Sequence, residues 1–279
     1  MSTIYLNSEG TVMSLAGERL VVQCPAPEKG REMPPPQDIF IRDVSQVTVC
    51  RGANVTMPAL FTLMEREIPV VFARSSGSVV GFCLASAQGN GLRRAQYAKL
   101  GDQVFLLAFA SQVVQAKIRN QRRMLQRLAE RRGDDVKGDL QALEELLGRA
   151  RAPISVEILR GIEGAAAARY FEWLNRYFPQ SCPFERRSRQ PPHNAVNALL
   201  SYGYMLLTGE LEVECLGKGL DPTVGFYHTP EDRRPSLALD LLEPLRAAVS
   251  DSLALDLVNH QTLKAIEHFD NVDGGVYLN

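Results

Sequence analysis

The spacing of apolar residues changes once along the chain, near Asn90, and this change limits the possible folds. Before it, short apolar runs alternate with Gly, Pro and Asp turns, which is typical of strands. The runs predicted as strands are residues 4–6, 11–15, 19–24, 39–42, 46–50, 69–73 and 79–83. One helix interrupts them, because Thr56 suits a helix cap and Pro58 a first turn. After Asn90 the apolar residues recur at helical spacing, and later helices are expected over 194–208, 210–216 and 261–269, followed by a tight turn at 273–275.

The chain is therefore predicted to be an α+β protein. A small, mostly antiparallel β domain over residues 1–86 precedes a larger all-α domain over residues 87–279. The β domain contains no cluster of titratable side chains, so we expect it to serve as a scaffold or dimerisation module. Chemistry is expected in the helical domain.

Residues 91–132 are predicted to form a helix with one apolar and one cationic face. Val114, Ile118, Leu125 and Leu128 define the apolar face. The cationic face carries arginines at steps of four: Arg119, Arg123, Arg127 and Arg131. Between Lys117 and Arg132 the only acid is Glu130, so few intrahelical ion pairs are available. Two interpretations stay open, namely a solvated surface helix and a surface that binds a polyanion such as DNA.

Residues 225–246 combine an imidazole with two acids in an otherwise apolar run. If Ser236 caps a helix, Asp240 and Glu243 lie on one face and close to His228. Crowded carboxylates repel each other unless a cation neutralises them, which favours a divalent metal. Pro244 is expected to bend the backbone beside these acids. Taken singly, His228 is better explained by a structural role than as a ligand, and the two acids are better explained as a surface pair.

A further acid, Glu163, lies in a helix predicted over residues 155–177. Its neighbours Gly161, Gly164 and Ala165 are small enough for a ligand or another helix to approach. A lone glutamate on a helix is usually solvated, so this position by itself does not define a site.

Composition excludes several classes of protein. The chain is 45% hydrophobic and 23% charged, with a formal net charge of -1, which is a globular balance. Its five cysteines are scattered and never form a Cys-x-x-Cys pair, so neither a disulfide framework nor a thiolate zinc site is expected. No signal peptide is recognisable and the longest apolar run, 104–110, is too short to span a bilayer. We expect a soluble, cytoplasmic protein that is not attached to a membrane.

Taken in order, four motifs resemble the Cas1 family, the integrase and endonuclease of CRISPR adaptation. They are Gly-Ile-Glu-Gly at 161–164, Pro-Pro-His-Asn-Ala-Val-Asn-Ala-Leu-Leu at 191–200, Gly-Phe-Tyr-His at 225–228 and Ser-Leu-Ala-Leu-Asp-Leu-Leu-Glu-Pro at 236–244. Together with the preceding β domain and Leu-Arg-Arg-Ala-Gln-Tyr at 92–97, they cover nearly the whole chain.

The resemblance implies a manganese or magnesium site made of Glu163, His228 and Glu243, with Asp240 as an auxiliary acid. Many relatives have Asp where this chain has Glu243. The donor types agree with a manganese or magnesium site, since carboxylates suit hard cations and an imidazole favours Mn²⁺ over Mg²⁺. Zinc would call for more His or Cys ligands.

The resemblance also implies a reaction and partners. In the family, a DNA 3′-hydroxyl attacks a phosphodiester of the CRISPR repeat and so joins a new spacer to the array. Prespacer DNA, repeat DNA, a second copy of the chain and a dimer of the small protein Cas2 are the implied partners. Expected phosphate contacts come from Arg119, Arg123, Arg186, Arg187 and Arg189. Relatives usually continue beyond the Gly-Gly-Val-Tyr-Leu segment, which suggests a truncated C-terminus.

Three alternatives stay open at this stage. One is an architectural DNA-binding protein without chemistry, and another is a structure-specific nuclease that acts on branched DNA in repair. A glycosidase with paired carboxylates is weaker, because Trp173 is the single Trp available as a sugar platform.

Overall fold

The computed structural model describes residues 2–26, 33–74, 76–85, 90–153, 155–188, 190–231 and 234–279. The chain forms two compact units. The first comprises Met1–Arg93 with Glu212–Leu220, and the second comprises Arg94–Leu211 with Asp221–Asn279. Each unit has its own hydrophobic core.

Two four-stranded sheets account for the strands described in the first unit, with strand orders β1-β5-β7-β8 and β4-β3-β2-β6. The strands are β1 (Ser2–Leu6), β2 (Val12–Ala16), β3 (Arg19–Gln23), β4 (Gln37–Phe40), β5 (Val44–Cys50), β6 (Asn54–Val55), β7 (Val70–Ala73) and β8 (Val79–Cys83). Every predicted strand is present, although 39–42 ends early because Ile41–Asp43 forms a 3₁₀ turn.

The strand directions differ from the prediction. The pairs β1–β5, β5–β7 and β2–β6 are parallel, whereas β2–β3, β3–β4 and β7–β8 are antiparallel. The prediction of a mostly antiparallel domain is therefore wrong for the strands that the structure describes. Alternation of apolar residues identifies a strand but not its direction. Neighbouring parallel strands need a crossover connection between them. Helix α1 (Met57–Glu65) lies in the connection from β5 to β7, and its Ala59 and Leu63 are buried.

The second unit is built mainly from helices. They include α3 (Gln103–Arg132), α4 (Lys137–Ala150), α5 (Val156–Asn175), α7 (Ser236–Leu242) and α8 (Ser252–Asn259). Helices α2 (Asn90–Ala98) and α6 (Ala195–Gly217) each contribute residues to both units. Helix α3 packs against α4 and α5, and its apolar face, with Val114, Ile118 and Leu125, is buried in the core.

Two helix predictions change in the structure. The single helix expected over 91–132 is interrupted by a 3₁₀ turn, Lys99–Gly101, and Asp102 then caps α3 by accepting a hydrogen bond from the Phe105 amide at 3.0 Å. Conversely, the pieces expected at 194–208 and 210–216 form one helix, α6, whose start is capped by Asn194. The Asp102 carboxylate, which accepts from a free backbone N–H of the first turn, is a helix-start signal that the spacing of apolar residues alone does not reveal.

The chain end also departs from an all-α domain. Instead of a helix over 261–269, it forms an antiparallel hairpin of β9 (Phe269–Val272) and β10 (Gly275–Leu278). The turn residues Asp273 and Gly274 have φ values of 48° and 78°. An Asp-Gly pair with two positive φ angles is the favoured two-residue hairpin turn, and it lies within the tight turn predicted at 273–275.

All five cysteines are free thiols, as expected. No helix among the described residues combines the length and apolar character needed to cross a membrane.

Candidate metal centre

The side chain of Asp240 organises the loop that carries His228. It is fully buried and accepts hydrogen bonds from the backbone amides of Phe226, Tyr227 and His228 at 2.7, 3.0 and 2.8 Å. The Nδ1 atom of His228 lies 2.7 Å from Oδ1 of the same carboxylate. Because a carboxylate only accepts, Nδ1 carries the hydrogen, which leaves Nε2 as the ring nitrogen that can act as a metal ligand.

The loop can lie this close to α7 because Gly225 has no side chain. A Cβ at this position would stand 2.7 Å from the backbone of Ser236. Ser236 is not the cap that the sequence suggested, since α7 already begins at this residue. Its hydroxyl instead donates to the carbonyl of Thr229 at 3.0 Å, which joins the loop end to the start of α7.

Glu243 immediately follows α7, at the turn that Pro244 forces. The Asn120 side chain on α3 donates to the Pro244 carbonyl at 2.8 Å, which fixes the turn. The Glu243 side chain is 4% exposed, and its Oε1 lies 3.0 Å from Arg246 and 3.9 Å from Nε2 of His228. Burial by itself raises the pKa of Glu243, but the charges of Lys117 and Arg246 outweigh burial and lower it below its ordinary value. Glu243 is therefore a carboxylate at neutral pH.

Glu163 reaches the same place from the middle of α5. Its Oε2 accepts a hydrogen bond from the Tyr227 hydroxyl, and its Oε1 accepts one from Lys117. Burial, followed by the charge of Glu163, raises the pKa of Tyr227 well above its ordinary value, so the hydroxyl remains a donor. The structure thus brings all four predicted site residues, Glu163, His228, Asp240 and Glu243, into one cluster.

Lys117 stands between the two glutamates and was not predicted as part of the site. Its Nζ lies 2.6 Å from Oε2 of Glu243 while it also donates to Glu163. In the described part of the chain, no three His, Cys, Asp or Glu side chains are arranged as a ready metal site. The ammonium is the cation that the two carboxylates contact in this structure.

The chemistry of these donors nevertheless fits a divalent metal. The Oε2 atom of Glu243 is buried and accepts no hydrogen bond, because the contact with Lys117 is an ion pair without hydrogen-bond geometry. A second carboxylate and an imidazole lone pair lie nearby. Two carboxylates and one imidazole are a donor set that Mn²⁺ or Mg²⁺ accepts.

The arginines predicted to contact DNA fall into three groups. Arg119 and Arg123 are exposed on α3, in the same row as Arg127 and Arg131, and Arg186 is exposed in a loop. Arg187 is half-buried and donates to Oδ1 of Asn197 and to the Ser201 hydroxyl, both at 2.9 Å. It holds this loop against α6. Arg189 lies outside the described residues.

Three contributors to the cluster escaped the sequence analysis: Lys117, Tyr227 and Arg246. Lys117 did leave a signal, because it falls between Val114 and Ile118 in the apolar stripe of α3 and is buried there. A buried lysine calls for a partner carboxylate. Tyr227 precedes His228 in the Gly-Phe-Tyr-His motif, but nothing in its position alone indicates a contact with Glu163.

Comparison with known proteins gives consistent matches to one family. The family model described as "CRISPR associated protein Cas1" matches residues 4–279. The CRISPR-associated endonuclease Cas1 2 of Rhodospirillum rubrum is 34% identical over 298 residues, covering 100% of this chain and 81% of that protein. The chain also matches Cas4/Cas1 fusion proteins of Geobacter sulfurreducens and Rhodospirillum rubrum, of whose length it spans 42% and 40%.

Solved structures show the same fold. A Cas1 protein from Thermotoga maritima has a TM-score of 0.80 and 26% identity, with 100% of this chain and 85% of that chain covered. A chain of a partial Cas6-RT-Cas1–Cas2 complex has a TM-score of 0.70 and 25% identity, with coverages of 100% and 83%.

Proposed function

Because this chain belongs to the Cas1 family, we propose that it is a divalent-metal-dependent DNA endonuclease and integrase that inserts spacers into a CRISPR array. The observation that carries the proposal is the convergence of Glu163, His228 and Glu243 in one cluster, in which Lys117 contacts both glutamates and Nε2 of His228 lies 3.9 Å from Glu243. These residues come from separate segments of the chain. A structural ion pair between Lys117 and the two glutamates would not require an imidazole held beside them by a buried carboxylate.

The proposed reaction is a transesterification. A DNA 3′-hydroxyl attacks a repeat phosphorus, a new P–O bond forms, and the bond to the leaving oxygen breaks, so that the number of phosphodiesters is unchanged. With water as the nucleophile, the same site hydrolyses DNA. Bound at Glu163, His228 and Glu243, Mn²⁺ or Mg²⁺ would supply Lewis-acid stabilisation of the phosphate charge and lower the pKa of the attacking hydroxyl.

The chain's own residues supply positioning and charge. Asp240 holds the His228 ring in the tautomer that leaves Nε2 free, and the Tyr227 hydroxyl fixes one oxygen of Glu163. Arg246 neutralises Oε1 of Glu243, which leaves Oε2 as the donor directed at the cation. Preorganised groups of this kind lower the barrier without rearranging during the reaction.

DNA binding is proposed for the exposed arginines. Arg119 and Arg123 follow one another along α3, and Arg186 adds a third exposed guanidinium. Guanidinium groups pair with phosphates in a bidentate manner. Arg187 is assigned to the loop that carries Arg186, since its donors are used within the protein.

Homodimer formation and assembly with a Cas2 dimer are proposed from family membership. The partial Cas6-RT-Cas1–Cas2 complex, whose chain shares this fold, supports the second of these. Both assemblies are testable by measuring the mass of the purified chain with and without Cas2.

The test uses a labelled branched DNA that mimics a half-integrated spacer. It is incubated with Mn²⁺ or with chelator, and with wild type, Glu163→Gln or His228→Ala. We expect rejoined strands only with metal, and a loss of at least about 100-fold in both variants, a typical cost of removing one group that stabilises the transition state. Glu157→Gln, an exposed glutamate on the same helix, is the matched control and should retain activity.

Each other outcome assigns a different function. Cutting without rejoining would favour a structure-specific nuclease, and binding without either reaction under any metal would favour an architectural protein. Unchanged activity in Glu163→Gln and His228→Ala would show that the cluster is not the active site.

A further inference from the structure

Lys117 is the one described cation that contacts both glutamates of the cluster. Its side chain is only 9% exposed, so it is part of the site rather than a solvated neighbour. We propose that the Lys117 ammonium is the resident counter-cation of the metal-free site, and that a divalent metal binds by displacing it. Lys117 then sets the affinity for metal. This inference rests on the proposed metal-dependent function.

The charges around the cluster explain why a counter-cation is needed. Glu163 and Glu243 point at one small volume, while Asp240 is already satisfied by backbone amides. Arg246 pairs with Oε1 of Glu243, and does not reach Glu163 in the contacts that the structure describes. Without Lys117 or a metal, two carboxylates would face each other in a largely buried position, which is strongly unfavourable.

The geometry also indicates that the ammonium can leave. Its contact with Oε2 of Glu243 lacks hydrogen-bond geometry, whereas its contact with Glu163 has it. Lysine carries a compact charge on a flexible four-carbon stem, so Nζ can swing away while the helix stays in place. A metal and an ammonium cannot share these oxygens, because like charges at such a distance repel.

If Mn²⁺ displaces Lys117, removal of the lysine should change the affinity for Mn²⁺, which a permanent structural ion pair does not require. Lys117→Met removes the charge and keeps a long apolar stem. In chelator, we expect its Tm to fall by about 6 °C or more, because one partner of a buried ion pair is lost. Calorimetric titration should show Mn²⁺ bound about tenfold more tightly than by wild type, since no ammonium competes. Saturating Mn²⁺ should then restore most of the lost Tm.

Two further variants complete the comparison. Lys117→Arg keeps the charge and can bridge both carboxylates with a planar fork, so we expect a metal-free Tm close to wild type and Mn²⁺ affinity about tenfold weaker. This variant also covers the case in which Lys117→Met does not fold. Lys137→Met makes the same change at an exposed lysine and should alter neither quantity.

The displacement itself can be followed in wild type by acetylating the amines and measuring the Lys117 peptide by mass spectrometry. We expect Mn²⁺ to increase labelling of Lys117 and to leave that of Lys137 unchanged. Protection by Mn²⁺, or equal labelling with and without it, would overturn displacement.

The outcomes separate this inference from the function on which it rests. If both wild type and Lys117→Met bind Mn²⁺ with equal affinity, competition is wrong and the metal site stands. If neither protein binds Mn²⁺, both proposals are overturned. Weaker Mn²⁺ binding by Lys117→Met would make Lys117 a structural support of the site.

Discussion

At the scale of single residues, Asp240 shows how one buried carboxylate can hold both a loop and an imidazole ring in place. Its two oxygens accept three backbone hydrogen bonds and contact the ring of His228. The loop conformation and the imidazole tautomer therefore depend on the same side chain. Metal-binding histidines commonly rely on such an outer carboxylate. We assign Asp240 as a positioning residue.

Asp240→Asn should separate positioning from ligation. The amide nitrogen replaces an acceptor with a donor and faces backbone N–H groups, so we expect about 2 kcal/mol lower unfolding free energy. We also expect Mn²⁺ affinity to fall about 10–100-fold, because the His228 tautomer is no longer fixed. Urea unfolding in chelator and calorimetric titration measure the two effects. Asp270→Asn, at an exposed position, is the control, and unchanged Mn²⁺ affinity in Asp240→Asn would contradict the assignment.

At the scale of elements, helix α3 serves three purposes at once. Its apolar face forms core, Lys117 on that face enters the carboxylate cluster, and Asn120 fixes the turn after Glu243. Its opposite face presents the exposed arginine row. The helix therefore links the carboxylate cluster to the proposed phosphate track, since Lys117, Asn120 and the arginine row are carried on one rigid backbone.

The double variant Arg119→Gln with Arg123→Gln tests the phosphate track. Each phosphate contact releases counterions from the DNA, so fewer are released when a contact is lost. We therefore expect DNA affinity to fall about tenfold or more at low salt, and the magnitude of the slope of log K against log salt to decrease by up to about 2. Fluorescence anisotropy over a salt series measures both quantities. Arg149→Gln, an exposed arginine on α4, should leave them unchanged, and equal slopes for all three proteins would contradict the assignment.

At the scale of the whole molecule, two acids outside the predicted ligand set, the buried Asp251 and the half-buried Glu212, contribute to how stability depends on pH. Asp251 accepts hydrogen bonds from Tyr170 and Tyr204 at 3.0 and 2.5 Å. Burial raises its pKa to about 6 despite these bonds, and burial raises the pKa of Glu212 on α6 to about 7. Both groups bind their proton more tightly in the folded state, so their stabilising contribution is complete at acid pH and is lost as pH rises through 6 to 7.

Glu212→Gln should reduce this dependence. The amide cannot ionise, so we expect the variant to be more stable than wild type by about 1–2 kcal/mol at pH 8, a figure reduced for partial solvent exposure, and equally stable at pH 4. Urea unfolding between pH 4 and 8 provides the measurement. Glu214→Gln changes an exposed glutamate of the same helix and should follow wild type, whereas parallel pH profiles for wild type and Glu212→Gln would refute the assignment.

The sequence by itself determined most of the segments that are strands or helices and four of the side chains that meet in the carboxylate cluster. Strand and helix periods are local, so the change near Asn90 located the β region and the helical region. The donors Glu163, His228, Asp240 and Glu243 were identified from motif order and the resemblance. The tight turn at 273–275 was predicted as well, and the Asp102 cap was a local signal that would have divided the helix expected over 91–132.

Tertiary structure alone decided how these elements meet. The parallel pairing of β1, β5 and β7 depends on crossovers, and alternation carries no information about strand direction. The position of Lys117 between Glu163 and Glu243 depends on the packing of α3 against α5 and on the turn that Asn120 holds. Contacts between distant segments are fixed by packing of whole faces, and no local pattern encodes which side chain completes a buried charge cluster.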